Sequence, residues 1–368
     1  MKVVYCIQDN FRVGGMERVL ANKANYLASH GFEVCIITTD QQGKASYFSL
    51  DKNVRCYDLG INYFSASSRW QYLHCIVEHK KKLNKLLREL NANIVISMFG
   101  QETEFLPSIH DGSKKILELH YNYFIAMPRL KGIRGLYHHY KNRKRAANIK
   151  KYDRFVVLTH EDREAWVNFK NIDVIPNCQT FECEYPATLD CKRVLAVGRY
   201  HSQKAFDRLI EAWSLVNRSA KDWTLHIIGE GALRESLQMQ INYLGLSQSI
   251  FLDGVSSNIK KEYLNASILS MSSLYEGLPM ILIEAMTCGL PVVSFACPCG
   301  PRDLITDGEN GFLVENGDIE GLADRLLYLI TRSDERKRMG KNAFESAKEY
   351  SEDKVMSKWI NLFNELCQ

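Results

Sequence analysis

Short apolar, β-branched runs alternate with longer stretches of helical spacing along the whole chain. Runs that are apolar at nearly every position suit strands covered on both faces, as in parallel sheets. The pattern predicts strands at Val3–Ile7, Glu33–Thr38, Ile94–Ser97, Lys115–Leu119 and Arg154–Leu158. After a break it predicts Arg193–Val197, Thr224–Ile228, Ile250–Leu252, Ile268–Met271, Pro291–Ser294 and Gly311–Val314. Strands separated by helices form βαβ units, so the expected class is α/β, with doubly wound parallel sheets. The break, Cys178–Cys191, contains Pro186 and shows no periodicity. A domain boundary is expected there, giving domains at 1–180 and 181–350. The helix predicted at Ser351–Leu366 carries Val355, Met356, Trp359, Ile360 and Phe363 on one stripe. A helix this apolar must dock, and residues 351–368 are expected to cross back onto the first domain.

The most apolar helical segment holds two carboxylates, Glu276 and Glu284, within Ser273-Leu-Tyr-Glu276-Gly-Leu278-Pro279-Met-Ile-Leu-Ile-Glu284-Ala-Met-Thr-Cys-Gly289. Pro279 suits the first turn and Gly289 the position just past the end. Glu276 stands where its charge complements the helix N-terminus. Glu284 is expensive in such a helix unless something hydrogen-bonds it. On these residues alone, a buried structural acid and a ligand-binding acid are both open readings.

Open α/β sheets bind ligands at the carboxyl ends of their strands. Asp9-Asn-Phe-Arg-Val-Gly14-Gly15 follows the first strand and precedes a helix, where glycines let a backbone approach a ligand and the helix start favours an anion. It lacks the full GxGxxG fingerprint of a dinucleotide site. Val197-Gly198-Arg199…Lys204 places two cations at the next such turn, suited to a diphosphate. Ile228-Gly229-Glu230-Gly231 repeats the geometry, and Gly300-Pro301 supplies another Gly-Pro helix start. Arg199, Lys204, Glu276 and Glu284 are expected to converge on one sheet edge, the composition of a nucleotide-sugar site.

The remaining bulk properties narrow the picture. A chain of 368 residues is long for one core. A net charge of +4 gives no whole-protein signal for nucleic acid. No run approaches the roughly 18 apolar residues of a membrane-spanning helix, and the N-terminal run is too short for a secretory leader. The 11 scattered cysteines lack paired zinc spacing, so no metal is expected, and a reducing cytoplasm fits them.

On Gly198-Arg199…Lys204, the Glu276–x7–Glu284 pair and Gly300-Pro301-Arg-Asp…Asp307-Gly-x-Asn310-Gly311, the chain resembles the retaining glycosyltransferases of family 4 with the GT-B fold. The resemblance spans nearly the whole chain and is most specific over residues 194–314. It implies two Rossmann-like domains facing across a cleft, acceptor on the first and nucleotide sugar on the second. Arg199 and Lys204 would neutralise the departing nucleoside diphosphate. Glu284 would hold the ribose hydroxyls and Glu276 the donor sugar. The backbone at Leu278–Pro279 and the Gly14-Gly15 turn would face phosphate. His120 would lie near the reacting sugar, with Tyr121-Asn122 shaping the acceptor cleft. Ala205 stands where the family usually has glycine, which should tighten that turn. The expected activity is a retaining hexosyltransferase using a UDP-sugar in surface polysaccharide biosynthesis, with no cofactor: the chain has no DxD motif, and the two cations replace the metal. A sugar phosphorylase or epimerase of the same fold, or a degenerate scaffold in a glycan-assembly complex, are the rival readings. The phosphorylase needs a pyridoxal-phosphate lysine site, for which there is no signal.

Residues 129–154 hold ten Lys or Arg and one acid, interleaved with Leu130, Ile133, Leu136, Tyr137 and Tyr140. Lys80–Arg88 is a second basic run. A solvated face is the plain reading. A basic helix with aromatics also fits an anionic membrane surface, which predicts a peripheral protein on the inner face of the cell membrane and a glycan or polyprenyl-diphosphate-linked acceptor. No nucleic-acid motif accompanies the charge.

Overall fold

A computed structural model describes residues 1–128 and 132–368. It divides the chain into two compact units, Met1–Pro176 with Met356–Gln368, and Asn177–Val355.

The first unit is built on a seven-stranded parallel sheet of β1 (Lys2–Ile7), β2 (Glu33–Thr38), β3 (Arg55–Asp58), β4 (Ile94–Ser97), β5 (Lys114–Glu118), β6 (Arg154–Val157) and β7 (Ile172–Val174), in the order β3-β2-β1-β4-β5-β6-β7. Strands β3 and β7, unmarked in the sequence pattern, are its two edges. The winding reverses between β1 and β4, and such a switch point opens a crevice beyond the strand ends. The helix Glu352–Cys367 completes this unit: Trp359 and Phe363 are fully buried, and Phe363 meets Phe32 at 6.4 Å between ring centres.

The second unit carries six parallel strands: β8 (Arg193–Val197), β9 (Thr224–Ile228), β10 (Ile250–Gly254), β11 (Ile268–Met271), β12 (Val292–Phe295) and β13 (Gly311–Val314). Their order is β10-β9-β8-β11-β12-β13, with the switch point between β8 and β11. Both faces of this sheet are covered. Val194, Ala196, Leu225, Ile227 and Val293 pack in one apolar cluster with Leu209, Trp213 and Leu326 from flanking helices.

Glu276 precedes, and Glu284 lies within, the helix Met280–Thr287. Pro279 sits just before it with extended backbone, and Cys288 caps its end. Gly289 follows in the left-handed region at φ 75°, where its N–H bonds Met286 O and the Leu290 N–H bonds Ala285 O. That paired closure is the Schellman arrangement, and it stops the helix sharply.

Candidate functional site

At the end of β8 the chain turns through Gly198 and Arg199. The Gly198 N–H donates to Ile228 O at 3.0 Å, and the Tyr200 N–H to Glu230 O at 2.9 Å, so the extension of β9 runs alongside. This approach needs both glycines. A Cβ at Gly229 would lie 1.9 Å from Gly198 O, and one at Gly231 2.5 Å from Tyr200 O. The rigid backbone presents Arg199 to solvent, where its side chain makes no hydrogen bond or ion pair among the described residues.

A single turn, Ser202–Lys204, follows and is laced to the loop after β11. Leu274 N–H donates to Gln203 O at 2.8 Å, Gln203 Nε2 to Tyr275 O at 2.9 Å, and Ser272 Oγ to Lys204 O at 2.7 Å. These ties bring together two residues 72 apart: Lys204 Nζ donates to Glu276 Oε1 at 2.6 Å. Both side chains are mostly buried, at 16% and 10% exposure, so the pair is better shielded than a surface ion pair. The sequence assigned cations to phosphate and carboxylates to hydroxyls as separate sets; the structure joins one of each. Ala205, expected to tighten the turn, occupies the left-handed region at φ 45°, ψ 44°, a conformation glycine takes freely and that costs other residues roughly 1–2 kcal/mol.

Glu284 lies inside the apolar helix, 7% exposed. Its carboxylate is met by two hydroxyls: Thr180 Oγ1 donates to Oε1 at 2.7 Å and Tyr263 OH to Oε2 at 2.9 Å. A carboxylate oxygen can accept more than one hydrogen bond. The sequence gives no sign of either partner. Thr180 falls in the aperiodic break and Tyr263 reads as a core aromatic. At the other end of the helix, Pro279 packs on the Gly300 turn: a Cβ at Gly300 would come 2.2 Å from Pro279 Cδ, and Gly300 holds φ 104°. Leu278 beside it is buried.

The first unit carries the other predicted site residues. Gly14 precedes the helix Gly15–Ser29. A Cβ at Gly14 would meet only the flexible end of Glu17, and one at Gly15 would meet nothing within 4 Å, so packing demands neither glycine. His120 follows β5, and its environment was not legible in the chain. Its Nε2 lies 3.2 Å from Glu118 Oε1. Glu118 is fully buried and takes a 2.6 Å bond from Lys23 Nζ, itself buried. That ammonium stands 3.7 Å from the ring centre of Trp359, a cation–π contact. Burial raises the Glu118 carboxyl; the charges of Lys23 and His120 outweigh it and hold it down to about 2.

The basic runs are not uniformly solvated. Arg154 pairs with Glu365 and Asp173, Lys82 pairs with Glu78 and donates to Leu59 O, and Arg88 donates to His110 O, all structural uses. Arg129, Leu130 and Lys131, and the side chains of Ile133, Arg134, Leu136 and Tyr137, lie outside the described residues. No helix among the described residues is long and apolar enough to cross a membrane.

Comparison with known proteins covers both units. The family model described as Glycosyltransferase Family 4 matches residues 13–178, and that described as Glycosyl transferases group 1 matches 184–346. An uncharacterized glycosyltransferase of Haemophilus influenzae is 30% identical over 364 residues, spanning 97% of this chain and 98% of that protein. The GalNAc-alpha-(1->4)-GalNAc-alpha-(1->3)-diNAcBac-PP-undecaprenol alpha-1,4-N-acetyl-D-galactosaminyltransferase of Campylobacter jejuni is 26% identical over 376 residues, spanning 100% of this chain and 99% of that one. Among solved structures, Anabaena Alr3699/HepE in complex with UDP and glucose superposes with a TM-score of 0.74 at 17% identity, covering 99% of each chain.

Proposed function

Because this chain belongs to the group 1 glycosyltransferases, with the two-unit GT-B fold, we propose that it moves a hexose from a UDP-sugar onto a glycan or lipid-linked glycan in bacterial surface polysaccharide biosynthesis, with retention at the anomeric carbon. The Lys204–Glu276 pair at the switch point of the second sheet carries this reading. Glycosyl transfer breaks the bond between the anomeric carbon and the diphosphate oxygen, building negative charge on the leaving group and positive charge on the sugar. Fixed cations aimed at the first are the strongest lever available to a protein. Lys204 is held in place by Glu276, and Arg199 projects from a rigid turn; together they meet the diphosphate without a metal. Glu276 accepts from donor-sugar hydroxyls. Glu284, oriented by Thr180 and Tyr263, accepts from the ribose diol. The backbone at Leu278–Pro279 and the glycines Gly198 and Gly229 leave room for phosphate.

The first unit supplies the acceptor side through Gly14, Gly15 and His120. In the front-face route the acceptor hydroxyl forms the new C–O bond on the face the diphosphate leaves, and its proton passes to a departing phosphate oxygen. Relatives support the donor and setting: HepE was solved with UDP and glucose, and the Campylobacter jejuni protein acts on a PP-undecaprenol glycan. Exposed Trp70, Leu73 and Val77, followed on the same helix by exposed Lys80 and Lys81, support attachment to an anionic membrane.

Turnover of a panel of UDP- and GDP-sugars tests the reading. Arg199→Ala and Glu276→Ala should each cut kcat/KM at least a hundredfold with the fold intact. An active wild type with both variants unaffected would remove the site assignment. A protein that binds UDP and turns over no sugar nucleotide would favour the scaffold.

A further inference from the structure

The core stripe of the helix Gly15–Ser29 contains a lysine. Leu20, Lys23, Ala24 and Leu27 follow helical spacing, and all four are buried. A buried ammonium is expensive unless an anion answers it. The anion is Glu118, the last residue of β5, whose Oε1 takes the Lys23 bond at 2.6 Å. The pleat of β5 continues one residue further, because the Leu119 N–H donates to Val156 O at 2.9 Å. Residues two apart on a pleated strand share a face, so His120 stands on the side of Glu118, and Leu119 faces the other way into the apolar cluster. His120 Nε2 consequently lies 3.2 Å from the same oxygen that Lys23 holds.

A neutral imidazole carries its proton on one nitrogen and a lone pair on the other, and the partner of one nitrogen decides which. The Glu118 carboxyl, held down to about 2, is ionised at neutral pH. A lone pair on Nε2 would face that anion and be repelled, whereas a proton there is attracted. Nε2 therefore carries the proton, and Nδ1, which has no hydrogen bond among the described residues, is left as an acceptor. The neighbours of Lys23 add no competing charge: the Trp359 ring centre lies 3.7 Å from its Nζ and the Tyr5 ring centre 6.0 Å. Tyr5 stays neutral, because burial and then the charge of Glu118 push its phenol up. Apolar side chains of the same volume commonly serve stability as well as a buried ion pair does, so the pair calls for a use beyond stability. We propose that Glu118 and Lys23 are positioning residues for glycosyl transfer: Glu118 fixes the His120 proton on Nε2, Lys23 fixes Glu118, and Nδ1 accepts a hydrogen bond from a substrate hydroxyl. No proton is transferred here; the hydroxyl is oriented. A sugar hydroxyl can donate or accept, and this ring leaves it only the first. The inference rests on the glycosyltransferase reading and adds to it two residues that are themselves buried and act through His120.

Lys23→Met with Glu118→Leu removes the pair without stranding a charge, which keeps the fold. With the UDP-sugar that the wild type turns over fastest, this double variant should lose roughly tenfold or more in kcat/KM, the usual effect of removing a histidine's buried partner. Its affinity for UDP, read by calorimetry, should stay unchanged. The same two changes made in His120→Ala should cost nothing further, because residues that act through one group are not additive. A merely structural role would cost the same in both backgrounds. Long-range proton–nitrogen spectra of the full chain labelled with nitrogen-15 histidine give a second reading. The wild type should show a slowly exchanging proton on His120 Nε2, identified by its absence from His120→Ala, and the double variant should lose it. Full activity in the double variant, an equal loss with and without His120, or a wild-type proton on Nδ1 would overturn the proposal. If no sugar nucleotide is turned over, the glycosyltransferase reading fails instead, and the nitrogen that carries the proton in the wild type still decides whether Glu118 holds the ring.

Discussion

Replacing Lys23 with methionine should reverse the pH dependence of the first unit's stability. Glu118 is held from an ordinary 4.5 down to about 2, against burial, by Lys23 and then His120. At about 1.4 kcal/mol per pH unit, that drop ties about 3 kcal/mol of folding free energy to the ionised carboxylate. Because the folded state holds the depressed value, this stability is complete above pH 4.5 and is lost as pH falls toward 2. Lys23→Met removes the main opposing charge 2.6 Å away and leaves burial in control. The carboxyl then rises above its unfolded value, so the variant should gain stability as pH falls from 7 toward 4.5. At pH 7 the loss should be about 3–5 kcal/mol, the usual cost of stranding one member of a buried pair. Lys23→Met with Glu118→Leu should recover most of it, because an apolar replacement of the whole pair is tolerated. Guanidinium titrations at pH 7, 5 and 3, read by hydrogen exchange on peptides from β1 and β5, isolate this unit from the other. Parallel pH slopes for wild type and Lys23→Met, or a double variant as unstable as the single, would refute the electrostatic account.

The strand-end glycines make a second test: Gly229→Ala and Gly231→Ala should each destabilise the second unit by about 1–3 kcal/mol and weaken UDP tenfold or more by calorimetry, since their Cβ atoms collide with backbone 1.9 and 2.5 Å away. Wild-type UDP affinity in both would show that this turn does not shape the donor site. Thr180→Val and Tyr263→Phe each leave a Glu284 oxygen short of a donor, for an expected loss of about 1–3 kcal/mol in denaturant titrations and weaker UDP binding. At the proposed membrane face, flotation with anionic vesicles should fall at least fivefold in Trp70→Ala with Lys80→Glu and Lys81→Glu; flotation equal on neutral vesicles would exclude the charge component.

Eleven of the thirteen strands among the described residues are legible in the chain, most of them because parallel strands buried on both faces must be apolar throughout. Edge strand β3 is not, because Arg55, Cys56 and Asp58 are exposed, and β7 spans only three residues. In the candidate site, the spacing of Glu276 and Glu284 around an apolar helix is visible, since a carboxylate there contradicts its surroundings. Their partners are not. Lys204 reaches Glu276 through backbone ties between two loops, and Tyr263 and Thr180 look like ordinary core and linker residues. His120 shows the same limit: its strand-end position is readable, whereas Lys23 reaches Glu118 beneath it, with Trp359 over the ammonium, from elements far away in sequence. The basic stretch is readable as charge, but charge alone does not tell Arg154, spent on ion pairs, from Lys144 and Arg145, which line a cavity.

The unit that houses His120 is discontinuous in sequence. Residues 1–176 leave the ribosome well before 356–368, with all of 177–355 made in between. During that interval the ammonium of Lys23 has no Trp359 ring above it, and the slot that will receive Phe363 beside Phe32 is open. The second unit can therefore finish folding while its companion waits with a buried ion pair uncovered. A nascent chain stalled before residue 356 should be the aggregation-prone and chaperone-dependent species, because residues 356–368 close the first unit.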